Sequence, residues 1–100
     1  MNEIILSDQF TAWLYALKDR QARSKIMQRI DRAKNNNFGD YKQLAENLYE
    51  MRIFYGPGYR VYYTKQGKTV YFILTGGNKS TQSKDIETAL KLIKETGTIV

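Results

Sequence analysis

The fold is decided by residues 48–75, which read LYEMRIFYGPGYRVYYTKQGKTVYFILT. Aromatic and β-branched residues dominate this stretch, and two turn signals, Gly56-Pro57-Gly58 and Gln66-Gly67, divide it into three segments. We therefore predict an antiparallel meander of three strands, covering residues 48–55, 59–65 and 68–75.

The two turns fix which side chains share a face of this sheet. A three-residue loop at 56–58 and a two-residue loop at 66–67 place Tyr62 opposite Arg52 on one side and opposite Tyr71 on the other. Alternation then predicts an apolar face, which consists of Met51, Ile53, Val61, Tyr63, Val70, Phe72 and Leu74. The opposite face carries Glu50, Arg52, Phe54, Arg60, Tyr62, Tyr71 and Thr75. This second face is suited to bind an anion and to stack a base, with Ile73 as its one apolar misfit.

Helical periodicity flanks the sheet segment on both sides. A first strand is predicted at Glu3–Leu6, and Ser7 and Asp19 are predicted to cap two helices that form a hairpin. Their apolar stripes are Phe10, Trp13, Leu14 and Leu17, and then Ala22, Ile26, Ile30 and Ala33. A loop is predicted at 76–80, followed by a helix over 82–95. The order β-α-α-β-β-β-α predicts one α+β domain over residues 1–100, with the helices packed on one face of a small twisted antiparallel sheet.

Composition limits the classes of function. The chain has 100 residues, no cysteine and no histidine, which excludes disulfides, thiolate metal sites and the commonest general base. We expect neither a metal nor a cofactor. No apolar run approaches the ~20 residues that cross a bilayer, and the first residues do not resemble a secretory signal, so we expect a cytoplasmic protein with no membrane partner. The net charge of +6 favours nucleic acid or an acidic protein segment as the partner.

The polar face and the loop after it hold the side chains that can carry RNA chemistry. Cleavage by the internal 2′-hydroxyl needs a base, a group that neutralises the phosphate, and an acid for the leaving oxygen. Arg52 and Arg60 suit the phosphate because guanidinium is planar and bidentate, although they can equally be surface arginines paired with Glu50 or solvent. Lys79 can bind an anion at the start of a helix or be an ordinary loop lysine. Tyr62 can donate a proton, stack on a base or pack across strands, and Glu50 can be a base or a structural partner.

Five segments of the chain together resemble the HigB-like addiction-module killer branch of the RelE/ParE toxin superfamily. They are residues 10–14, 39–42, 49–53, 55–63 and 76–82. The most specific combination is the Gly-Pro-Gly-Tyr-Arg turn followed by the Gly-Gly-Asn-Lys-Ser-Thr-Gln loop. The resemblance implies a RelE-like fold and a toxin of a type II toxin–antitoxin module, whose cognate antitoxin is typically a helix-turn-helix DNA-binding protein. It also implies an endoribonuclease that inhibits translation by cutting mRNA on the ribosome without a metal.

On this pattern, four residues map to the catalytic positions: Arg52, Arg60, Lys79 and Tyr62. We expect further RNA contacts from Glu50, Tyr59, Tyr71, Lys42 and Asn78. In one respect the chain departs from the family, because many ribosome-dependent relatives use a histidine or a C-terminal tyrosine. This chain has no histidine and no tyrosine after Tyr71, which leaves the acid and the base unassigned.

Two other functions fit the same fold, so the fold alone does not choose among them. One is a non-enzymatic toxin that binds and poisons DNA gyrase, as in the ParE branch. The other is a toxin-fold subunit that acts mainly with its antitoxin as an autorepressor and contacts operator DNA through that antitoxin. The clustering of Arg52, Arg60 and Lys79 favours the nuclease.

Overall fold

The computed structural model describes residues 1–95, which form five strands, three α-helices and a short 3-10 turn. The strands are β1 (Glu3–Leu6), β2 (Tyr41–Ala45), β3 (Leu48–Ile53), β4 (Tyr59–Gln66) and β5 (Val70–Asn78). The helices are α1 (Asp8–Ala16), α2 (Arg20–Lys34) and α3 (Gln82–Glu95), and the 3-10 turn Lys79–Thr81 precedes α3. Residues 96–100 of the predicted domain lie outside the described residues.

The first two helices begin at the caps that the sequence predicts. The Ser7 hydroxyl accepts a hydrogen bond from the Phe10 N–H at 2.9 Å. The Asp19 carboxylate accepts from the N–H groups of Gln21 and Ala22 at 2.9 and 3.2 Å. Each cap satisfies N–H groups that have no partner inside the helix. Both predicted helices are therefore confirmed. Helix α2 buries its whole predicted stripe, whereas of the α1 stripe Phe10 and Leu14 are buried and Trp13 and Leu17 are partly buried.

The α+β class is confirmed, but the sheet is larger and more mixed than predicted. Its strand order is β1-β5-β4-β3-β2, and β1 pairs with β5 in the parallel sense. The sheet is therefore not wholly antiparallel, because the long connection between β1 and β5 lets the two strands run in the same direction. Strand β2 was not predicted, since its sequence, YKQLA, is polar and four of its five residues are exposed at a sheet edge.

The hairpin between β3 and β4 is shifted by two residues from the predicted register. Arg52 pairs with Arg60 and Glu50 with Tyr62, so the loop covers residues 54–58. The loop is longer because Gly56 and Gly58 both adopt positive φ, at 56° and 82°. An even shift leaves every side chain on its predicted face. Glu50, Arg52, Arg60 and Tyr62 therefore share one face as expected.

The hairpin between β4 and β5 departs from prediction in a way that changes faces. Gln66 pairs with Val70, which leaves a three-residue loop, and a bulge lies between Tyr62 and Tyr63. Because the register is shifted by an odd number of residues, the side chains of residues 70–73 lie on the opposite face from the predicted one. The bulge adds one more residue, so from Thr75 onward the side chains lie on their predicted faces again. The predicted placement of Val70, Phe72 and Leu74 on the α1–α2 face and of Tyr71 on the polar face is therefore wrong. Ile73, the apparent misfit, lies in the main core.

Two apolar cores lie on opposite faces of the sheet, because neighbouring residues of β4 contribute to different ones. The larger core joins α1 and α2 to the sheet through Phe10, Ile26, Ile30, Val61 and Tyr63. The smaller core lies under α3 and contains Leu48, Tyr62, Leu74 and Ala89. The prediction that all helices cover one face is corrected, since the bulge turns Leu74 toward α3. Within residues 1–95, no helix is long and apolar enough to cross a membrane.

Candidate nucleic-acid interface

The β3–β4 register places two arginines side by side, and a buried carboxylate holds them there. Oε1 of Glu50 accepts hydrogen bonds from Nε of Arg52 at 3.1 Å and from Nη1 of Arg60 at 3.0 Å. Its other oxygen, Oε2, accepts from the amide of Gln82 at 2.7 Å. Because Glu50 is 0% exposed, these partners replace its water shell. The arrangement favours the structural alternative for Glu50 over the role of a base.

The electrostatics of Glu50 follow from these contacts. Burial alone opposes ionisation, but the hydrogen bonds from Gln82 and Arg52 and the charge of Arg60 outweigh it and hold the pKa of the Glu50 carboxyl below its usual value. One carboxylate thus restrains two permanently charged guanidinium groups. The pair keeps a net positive charge and spare N–H donors, which point to an anionic ligand.

The two arginines open into a groove of about 300 Å³. Its walls are formed by the end of β3, the 54–58 loop, the start of β4 and Lys79. The Lys79 N–H donates to the Gly58 carbonyl at 2.8 Å, which ties the lysine to the turn. We call this feature the basic groove and define it by Arg52, Arg60, Lys79 and the turn 56–58. Arg52, Arg60 and Lys79 therefore lie close together and line the same groove, as predicted.

Two glycines at the end of β5 allow the strand to pack closely against its neighbours, and Lys79 follows directly at the groove. A Cβ on Gly76 would lie 2.4 Å from the Trp13 ring, and one on Gly77 would lie 1.7 Å from a carboxylate oxygen of Asp85. The segment predicted as a loop therefore begins as strand, because Gly76 and Gly77 pair with β4. Asn78 ends the strand and caps the 3-10 turn, since its side chain accepts from the Ser80 N–H.

Aromatic side chains line the rim of the basic groove. Phe54, on the 54–58 loop, is 81% exposed although it is a large apolar residue. Tyr55 and Tyr59 also line the groove. Tyr59 is nearly buried because its ring packs edge-on against Trp13, with centroids 6.2 Å apart. An exposed ring beside clustered cations is the combination that stacks an unpaired base.

Tyr62 lies behind the basic groove rather than in it. Its side chain is fully buried in the smaller core, with its hydroxyl close to the Glu50 carboxylate. Burial and the nearby charge of Glu50 raise the pKa of the phenol. Direct proton transfer from Tyr62 to RNA stays a prediction, and this position favours its alternative as a cross-strand aromatic.

The remaining predicted RNA contacts are dispersed. Lys42 pairs with Glu50 from the edge strand β2, so it lies exposed on the same face as the arginines. Asn78 is used in capping. Tyr71 was predicted on the arginine face and instead lies on the opposite one, in the larger core, because of the reversed β5 register.

Two contributors to the site were not named as site residues from the sequence, although Phe54 was predicted to lie on the polar face. Gln82 begins α3 and fixes the second oxygen of Glu50, and Phe54 supplies the exposed ring. Gln82 ends the Gly-Gly-Asn-Lys-Ser-Thr-Gln motif, which was the available signal, but its contact spans 32 residues along the chain. In the described part of the chain, no group of three or more His, Cys, Asp or Glu side chains could hold a metal ion.

The chain is thus a small basic α+β protein with a groove lined by Arg52, Arg60 and Lys79. The family model described as Phage derived protein Gp49-like (DUF891) matches residues 12–95, and the chain belongs to this family, which is of the toxin–antitoxin type with RelE- and HigB-like toxins. A protein of Haemophilus influenzae, itself described as uncharacterized, is 46% identical to this chain over 88 residues. That match covers 88% of this chain and 89% of the relative.

Proposed function

We propose that this protein is the toxin of a type II toxin–antitoxin module and that it inhibits translation by cutting mRNA on the ribosome. One observation carries the proposal: a buried glutamate, Glu50, holds Arg52 and Arg60 together in a groove whose other wall bears Lys79. This is a finer assignment than membership of a toxin–antitoxin-type family. The proposed partners of the toxin are the mRNA and the ribosome, and a cognate antitoxin that binds operator DNA through a helix-turn-helix.

The chemistry proposed for the groove is attack of an RNA 2′ oxygen on the adjacent phosphorus, with departure of the 5′ oxygen. Arg52 and Arg60 bind the non-bridging oxygens, and their charge is worth most as the phosphate becomes more negative in the transition state. Lys79 donates a proton to the departing 5′ oxygen, and the 2′ proton passes to water. The reaction uses this chain's own side chains and needs no metal.

The preference for single-stranded RNA follows from the exposed aromatic ring on the rim of the basic groove. The exposed Phe54 ring can stack on a base only when that base is unpaired and turned outward. The ribosome presents mRNA in that form.

The test is a growth assay in bacteria that express the chain without its antitoxin. The groove variant carries Arg52→Ala, Arg60→Ala and Lys79→Ala. The control, which we call the surface variant, carries Lys18→Ala, Arg32→Ala and Lys91→Ala, and so removes three exposed cations outside the groove. We expect wild type and the surface variant to arrest growth and produce discrete mRNA cuts, and the groove variant to do neither.

Two readouts keep the result interpretable. Circular dichroism and urea unfolding must show that the groove variant is folded. Growth arrest by a folded groove variant, together with inhibition of gyrase supercoiling by purified wild-type protein, would replace the nuclease with the gyrase-binding toxin.

A further inference from the structure

A second pocket lies on the opposite face of the sheet from the arginines. Its volume is about 310 Å³, and five aromatic rings line it: Phe38, Tyr41, Tyr49, Tyr63 and Tyr71. Strands rise about 3.3 Å per residue, so Lys65 at this pocket lies on the order of 16 Å along β4 from Arg60. The pocket is therefore separate from the basic groove.

Three of the rings form a parallel stack. Tyr63 lies between Phe38 and Tyr49, with centroid distances of 5.5 and 5.3 Å and interplanar angles of 11° and 19°. Tyr63 is buried, whereas the two outer rings are half-exposed. Tyr41 leans on Phe38 at 5.9 Å and is 52% exposed at the sheet edge. Phe38 also contacts Tyr71 at 4.9 Å, so the surface left for a further planar group is the exposed ring of Tyr41 and the exposed part of Tyr49.

The charge around the pocket is positive. Lys65 lines it, with its ammonium 5.7 Å from the centre of the Tyr71 ring. An adjoining depression shares Asn36, Lys65 and Tyr71 with the pocket and adds Lys68 and Lys34, of which Lys34 is paired with Asp31 at 3.4 Å. None of the described residues that line either depression is acidic. An aromatic cage for a cationic ligand has no positive charge of its own, so the preferred ligand is planar and anionic.

Hydrogen-bonding groups complete the pocket. Burial and the neighbouring phenols of Tyr41, Tyr71 and Tyr49 raise the pKa of Tyr63, which is 2% exposed and serves as the central ring of the stack. Asn36 adds an amide that both donates and accepts. The Asn36 amide can read the edge of a base that is stacked on the rings.

We propose that this aromatic pocket binds one nucleotide, with the base on the Phe38–Tyr63–Tyr49 stack and the phosphate near Lys65 and Lys68. The nucleotide is either free or one unit of a single strand, and the chemistry of recognition is shared by both. The proposal does not depend on RNA cleavage, because it concerns the face of the sheet away from the basic groove.

The test uses the full-length wild-type protein, and residue-resolved shifts separate binding at the pocket from binding at Arg52, Arg60 and Lys79. Adenosine 5′-monophosphate is titrated into the isotope-labelled protein, and amide chemical shifts are followed by NMR. We expect saturable shifts at residues 36–41, 49, 63–65 and 71, and weaker binding of ribose 5-phosphate, which lacks the base. A six-nucleotide oligoadenylate that binds more tightly than the mononucleotide identifies a strand as the source, and equal affinity identifies a free nucleotide.

Variants locate the site. Tyr41→Ala and Lys65→Gln should each weaken binding of the mononucleotide roughly tenfold, because Tyr41 is the exposed ring that packs on Phe38 at one end of the stack and Lys65 is a phosphate contact. Tyr41→Phe should retain binding, because it keeps the ring. The matched control is Tyr15→Ala, which removes a tyrosine that is 74% exposed on α1 and outside the pocket. Absence of shifts at the pocket, binding unchanged by Tyr41→Ala, or stronger binding of tetramethylammonium than of the nucleotide would each overturn the proposal.

Discussion

At the scale of single residues, Glu50 organises the basic groove. It accepts from Arg52 and Arg60 through one oxygen while Gln82 occupies the other. Without its negative charge, two paired arginines on neighbouring strands would repel each other at close range. The groove therefore depends on a residue that the ligand does not need to touch.

Replacement of Glu50 by glutamine should damage stability and activity together. Removing one partner of a buried ionic cluster typically costs about 3–5 kcal/mol, and the partly exposed Arg52 lowers this to about 2–3 kcal/mol. Urea unfolding measures the loss, and RNA cleavage should fall in parallel because the arginines are no longer held. Glu46→Gln, an exposed neighbour in the β2–β3 turn, is the control. Equal stability of the two variants would contradict the role assigned to Glu50.

The same carboxylate should give the protein a defined response to acid. The pKa of Glu50 is lower in the folded chain than its usual value of about 4.3. Its contribution to the free energy of unfolding is then complete above about pH 4.3 and is lost as the pH falls through the folded-state pKa. Urea midpoints measured from pH 7 to pH 3 should show the gap between wild type and Glu50→Gln closing in acid. A gap that widens on acidification would mean that the pKa is raised.

At the scale of elements, the end of β5 is shaped by its two glycines. The two close approaches differ in kind, since Gly76 meets a packed indole ring and Gly77 meets the ends of two side chains, Asp85 and Thr81. Gly76→Ala should therefore cost about 1–3 kcal/mol through overpacking, and Gly77→Ala should cost less because Asp85 can move. Thermal and urea unfolding measure both, with Thr69→Ala in an exposed loop as control. The opposite ranking would mean that Trp13 yields more easily than Asp85.

Elements that are determined by contacts between residues close in sequence could be predicted, and the others could not. Ser7 and Asp19 determine helix starts through contacts two or three residues away, so both helices could be predicted. The face on which a strand residue lies depends on loop length. The loop between Gln66 and Val70 has one residue more than predicted, so Tyr71 was predicted on the wrong face. Edge strand β2 carries no alternation to detect.

The residues of the candidate site likewise fall into those with a local sequence signal, which could be predicted, and those without one. Glu50, Arg52 and Arg60 alternate along predicted strands, so their common face followed from the sequence. The link from Gln82 to Glu50 joins α3 to β3, and the burial of Tyr62 depends on α3 covering that part of the sheet. Such contacts between distant segments have no local signature.

At the scale of the whole molecule, a net charge of +6 should make RNA binding strongly dependent on salt. Each phosphate contact to a single strand contributes about 0.7 to the slope of log affinity against log salt concentration. The groove variant should therefore lose about 2 from that slope, measured by fluorescence anisotropy with a labelled single-stranded RNA. The surface variant should lose less than 1. Equal losses would mean that RNA binds through diffuse charge and not through the groove.

The most direct measurement of the central claim is primer extension on a reporter mRNA in a purified translation system, with and without ribosomes. Wild type and the groove variant are compared at equal concentrations of folded protein. We predict discrete cuts by wild type only when ribosomes are present, and none by the groove variant. Intact mRNA in every reaction, from a wild-type protein that is folded and still arrests growth, would contradict the assignment of this groove as an RNA-cleaving site.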